Sequence, residues 1–151
     1  MNNIKGPETF DLSEDDELYK TTVKVISKAY TVVSEPLSAK RDSLAVDKLR
    51  QQAATTQESM ANMLAWKNKL AEIAQAYQSQ ARVYYGKLCG DKIISTAERD
   101  GYVGLSAKNS SRLASQLDDM YALAGKRMSL AQTLIKSNDY TDYSTVSLKG
   151  E

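Results

Sequence analysis

From Leu44 to Leu88 the chain holds no proline, and the first glycine in that stretch is Gly86. Its least polar positions are Leu49, Ala53, Thr56, Met60, Met63, Trp66, Leu70, Ala74, Tyr77, Ala81, Tyr84 and Leu88. They recur mostly at alternating steps of three and four, the stripe of a helix packed against other helices. At about 1.5 Å per residue such a helix extends roughly 65 Å. No helix buries its own stripe, so a second helix, from this chain or another copy, has to cover it. The expectation is an all-α fold.

The remaining segments supply that second helix. Residues 1–12 hold Gly6-Pro7 and little periodicity, which reads as an extended arm. Ser13 followed by Glu14-Asp15-Asp16 has the form of an N-cap with an acidic first turn, opening a helix over about 13–34. Within it, Thr21 to Ile26 is rich in β-branched residues and compatible with a strand. The acidic cap and the spacing of Leu18, Val25, Tyr30 and Val33 favour helix. Pro36 breaks the chain, and the long helix is expected over about 37–88, with Gly86 or Gly90 as its left-handed cap. Ser95-Thr96-Ala97-Glu98 has capping-box spacing, so a last helix should span about 96–136. Gly101 and Gly104 should bend or interrupt it. Its stripe is Leu113, Leu117, Met120, Ala124, Met128, Ala131 and Ile135. Residues 137–151 are polar and unpatterned and read as a mobile tail. Two long helices joined by a short turn form an antiparallel hairpin. The small seam residues Ala53, Ala74, Ala81, Ala124 and Ala131 bury little area per turn, which points to a homo-oligomer.

Composition narrows the chemistry. There is no histidine and one cysteine, which removes histidine bases, Ser-His and Cys-His nucleophile pairs, most zinc sites and any internal disulfide. Asp118 and Asp119, as helix neighbours, point about 100° apart and form no carboxylate pair. Cys89 beside Gly90 reads as a turn residue, and the glycines fit no phosphate-loop spacing. The chain therefore reads as non-enzymatic, without cofactor or metal. No apolar run approaches the ~18–20 residues of a membrane helix, and the polar, acidic N-terminus is unlike a signal peptide. A cytoplasmic protein is expected.

Net charge is only +1, but it is unevenly spread. Four lysines face seven acids through Pro36, whereas nine bases face five acids from Leu37 to Ile94. Lys40, Arg41, Lys48, Arg50, Lys67, Lys69, Arg82, Lys87 and Lys92 carry this surplus. Such a surplus is either a solvated helix face or a phosphate track. Nine tyrosines against one tryptophan and one phenylalanine suit protein interfaces and base-stacking platforms alike.

The segment Ala81-Arg82-Val83-Tyr84-Tyr85-Gly86, after a tryptophan-bearing helix and before a second long one, resembles the phage recombination-mediator (UvsY-like) family. That family carries Leu-Lys-Ala-Arg-Leu followed shortly by Tyr-Tyr and glycine. Trp66-Lys67-Asn68-Lys69 is similar to the family's preceding tryptophan and lysine. Gln80 stands where the motif has lysine, and the acidic segment before Ser34 has no counterpart; the resemblance covers roughly Met63 to Lys136. It implies a helical protein that assembles into a ring, binds single-stranded DNA and helps a recombinase displace a single-strand-binding protein. Arg82, Lys87, Lys67 and Lys69 would meet phosphates, and Tyr84 and Tyr85 would stack on bases. Met63, Trp66, Leu70, Ala74, Tyr77 and Ala81 would form the oligomer seam. The alternative is a protein-only helical adaptor or assembly factor, such as a phage structural or regulatory protein, with merely solubilising charges.

Overall fold

The computed structural model describes residues 3–38 and the backbone of 43–149, with side chains placed from Leu44 to Ser137 beyond the gap. A short 3-10 turn, Pro7–Phe10, precedes four helices: α1 Glu17–Ser34, α2 Ser43–Gly90, α3 Thr96–Leu105 and α4 Lys108–Lys149. No strand occurs among the described residues.

The long helices pair antiparallel, as the stripes require. Thr56 meets Arg127, Met63 packs with Leu117 and Ala124, and Leu70 packs with Leu113. Leu49, Met63, Leu70, Leu117, Ala124 and Ala131 are fully or almost fully buried along this seam. Helix α1 runs parallel to α4 across the middle of the pair. Tyr19 accepts a hydrogen bond from Arg112 near its start, Ala29 joins the Met63 cluster, and Glu35, just beyond its end, pairs with Arg127. The β-branched stretch is helical throughout. Thr22 fits because its hydroxyl donates to the Leu18 carbonyl (2.7 Å), satisfying a polar group that is completely buried.

Several boundaries differ from expectation. Ser13 to Asp16 close a turn (Asp16 N–H to Ser13 O, 3.0 Å), so α1 is capped at Asp16 and starts at Glu17. Leu37 and Ser38 are not helical, and α2 opens at Ser43; residues 39–42, with Lys40 and Arg41, lie outside the described residues. The buried Gln52 fastens this connector by donating to Pro36 O (2.9 Å) and accepting from Ser38 N–H (3.1 Å). At the C-terminus of α2 neither glycine is left-handed. Lys92 takes that position (φ 60°), with Lys92 N–H on Cys89 O (3.0 Å) and Ile93 N–H on Leu88 O (2.9 Å).

The capping box is present: Glu98 N–H reaches Ser95 Oγ (3.1 Å) and Ser95 N–H reaches Glu98 Oε1 (3.3 Å). Gly101 and Gly104 are both inside α3, and the interruption falls later, at Ser106 and Ala107 (φ 55°). The N-terminal segment causes it. Phe10 O accepts from Ala107 N–H (2.8 Å), and the Asp11 carboxylate accepts from Asn109 N–H (2.7 Å), Ser110 N–H (3.1 Å) and Ser110 Oγ (3.0 Å). Asp11 thus caps α4 from nearly the other end of the sequence, placing its charge at the positive end of the helix. Phe10 and Leu12 are buried on either side of it. Residues 3–12 are consequently a docked segment, not a free arm. Helix α4 also continues to Lys149, through the segment expected to be a tail from 137; residues 1–2 and 150–151 lie outside the described residues.

Candidate nucleic-acid interface

The C-terminal part of α2 and the helix α3 folded against it hold most residues singled out from the sequence. The basic ones do not form a single track. At 3.6 residues per turn, Lys69 and Lys87 are five turns apart and share a face, whereas Arg82 lies about 140° around the helix from Lys87. Lys69 Nζ sits 4.9 Å from the centre of the Trp66 ring, a contact that still leaves an ammonium its hydration. Lys67 turns towards α4, where its ammonium is 2.7 Å from the Asp118 carboxylate. A cation so placed contributes little free charge to a strand. Arg82 and Lys87 are exposed.

The two adjacent tyrosines have different fates. Tyr85 is fully buried with Phe10, Ala81 and Ile94. Its ring stacks on Tyr102 (centroids 4.8 Å, 18°) and meets Phe10 and Tyr84 edge-on at 5.6 and 5.0 Å. Its hydroxyl donates to the Lys5 carbonyl. Burial, together with Tyr84, Glu8 and Tyr102 nearby, pushes its pKa up to about 12. Tyr85 therefore has no face to offer a base, which corrects the stacking role expected of it. Tyr84 is half-buried, accepts from Lys5 N–H (2.9 Å), and carries Lys5 Nζ 5.5 Å from its ring centre. The pair fastens the N-terminal segment to α2.

The expected oligomer seam is likewise internal. Met63, Leu70, Ala74 and Ala81 are buried. Trp66 and Tyr77 pack half-buried against the same core. A second copy would have to use other surface, and Val23, Tyr30, Leu123 and Leu130 are 41–59% exposed on α1 and α4.

Arg82 is the residue the fold brings into new company. It lines a shallow cavity of about 490 Å³ between α2 and α3, with Gly86, Arg99, Asp100, Val103 and Gly104. Arg99 Nε lies 3.1 Å from the Asp100 carboxylate, so two guanidinium groups share the cavity with one acid. Sequence patterning does not point to Arg99, because only the folding of α3 onto α2 brings it beside Arg82. Cys89, half-buried, has Thr96 Oγ1 at 3.8 Å from its Sγ. Among the described residues there is no group of three or more potential metal ligands, and no helix is long and apolar enough to cross a membrane. Comparison with protein-family models, curated proteins and solved structures found no match.

Proposed function

We propose that this is a non-enzymatic mediator of DNA recombination, encoded by a phage and acting in the host cytoplasm. It self-associates, binds single-stranded DNA, and helps a recombinase replace a single-strand-binding protein. The observation that carries the reading is the exposed Arg82, which sits in the motif-like Ala81–Gly86 segment and shares a cavity with Arg99. Lys87 and Lys69, aligned on another face of α2, supply further cations. Phosphate contacts of this kind give affinity without sequence preference. Repetition around a ring multiplies weak contacts by avidity. The test is Arg82→Ala, read by fluorescence anisotropy of a labelled oligonucleotide across a salt series. Single-strand binding should weaken and its log–log salt slope flatten by about 0.7 for each phosphate no longer neutralised. Assembly and helicity should stay as in the wild type, because the side chain is exposed. Binding that is weak at every salt concentration would remove the reading.

The second reading is a protein-only adaptor. It is favoured by the Lys67–Asp118 ion pair and the burial of Tyr85, which assign structural roles to two of the six expected strand contacts. Loss of assembly in Arg82→Ala, with no strand binding in the parent protein, would select it.

A further inference from the structure

We infer that the cavity between α2 and α3 is a seat for a backbone phosphate of the strand, floored by Gly86 and Gly104 and clamped by Arg82 and Arg99. The inference rests on the single-strand reading and gives it a place. Both glycines lie inside helices, where glycine is less favourable than alanine. No glycine among the described residues has a positive φ, and a Cβ built on Gly86 or Gly104 would meet nothing within 4 Å. At these two positions the cavity floor is therefore bare helix backbone, open to a group from outside the chain. The same cavity wall carries the charge that identifies it. Arg82 lines it with an exposed side chain, and Arg99 is only partly neutralised by its neighbour Asp100 (3.1 Å).

Two guanidinium groups from facing helices present planar forks that match phosphate oxygens bidentately, and a bare glycine floor lets the phosphodiester sink between them. A concave, partly apolar wall, here Val103, strengthens the field at that point. Recognition is then of the sugar–phosphate chain. The adjacent aromatic group, Tyr85, is closed off, so bases are left outward and unread. That is the behaviour wanted of a protein that must hand any sequence to a partner.

The experiment fills the seat without touching a charge. Gly104→Leu is compared with Gly101→Leu, which is also open around its Cβ and lies in the same helix but does not line the cavity. Circular dichroism and sizing accompany anisotropy of a labelled oligothymidine. Gly104→Leu should lose about tenfold in affinity, the scale of one or two backbone contacts, while Gly101→Leu binds as the wild type. Arg99→Gln should lower the salt slope by about 0.7. Equal, undiminished binding by both leucine variants would overturn the seat and leave strand binding standing. No binding by the wild type would overturn the strand reading and the seat with it. A Gly104→Leu protein that binds normally but elutes at a changed size would assign the floor to a second copy's helix, which also overturns the proposal.

Discussion

Tyr85 shows how one side chain can be conspicuous in a sequence for one reason and important in the structure for another. As half of Tyr-Tyr-Gly after a basic residue it reads as a stacking platform. In the fold it is a pillar: its ring is covered on all sides and its hydroxyl anchors Lys5. The raised pKa makes this testable. A phenol whose folded pKa exceeds its unfolded value of 10.0 adds stability that is complete below pH 10 and declines as pH climbs through about 12. Tyr85→Phe should cost about 1 kcal/mol at pH 8, the loss of one hydrogen bond. It should also remove that part of the decline between pH 10 and 12 seen in the wild type. Urea unfolding at pH 8 and near pH 11.5 measures both. Parallel declines in the two proteins would show that folding leaves the pKa of the Tyr85 phenol unshifted. Nothing local in the sequence signals the burial, because the partners Phe10, Ile94 and Tyr102 come from three separate segments.

At the scale of elements, what is legible in the sequence is what depends on near neighbours. The seam of α2, the stripe of α4, the capping box at Ser95 and the helicity of Thr21 to Ile26 all follow from spacing within a few residues. What is not legible depends on distant contacts or on unusual residues in usual roles. The break between α3 and α4 is made by Phe10 and Asp11, not by Gly101 or Gly104. Helix α4 runs on past Lys136 because extending an existing helix avoids the cost of a new nucleus, even where apolar periodicity has ended. The end of α2 is hidden in the sequence because a lysine, not a glycine, occupies the left-handed position. Lys92 is exposed there, and a left-handed non-glycine residue costs roughly 1–2 kcal/mol. Lys92→Gly should recover most of this less the added unfolded-chain entropy, a net gain of about 0.5–1 kcal/mol in chemical denaturation. A fall in stability would mean that the Lys92 side chain makes a compensating contact. Ala107, the other left-handed residue, should not respond in the same way, since its methyl group is completely buried.

For the whole molecule, the question is whether one chain is enough. A compact monomer of 16.7 kDa exposes about 7,600 Å², whereas this chain exposes 9912 Å². The excess is larger than the ~800 Å² each partner buries in an interface of standard size. Helix α1 covers only the middle of the α2–α4 pair. Along the α1–α4 flank, Tyr30 is level with Leu123, given that Tyr19 meets Arg112 and Glu35 meets Arg127 in the same parallel register. Leu130 follows two turns further along α4, and Val23 lies two turns before Tyr30 on α1, all of them substantially exposed. The Met63–Ala81 seam is already buried within the chain, whereas this flank, like Val83 on α2 and Leu105 on α3, is exposed and open to a second copy. At micromolar concentration the protein should be a homo-oligomer by size-exclusion chromatography with light scattering. Leu123→Glu with Leu130→Glu should yield monomers of unchanged helicity, because neither leucine belongs to the buried seam. Monomeric wild-type protein at that concentration would refute self-association. Oligomers that survive both glutamates would place the interface elsewhere, with the glycine-floored face of α2 and α3 next to be tested.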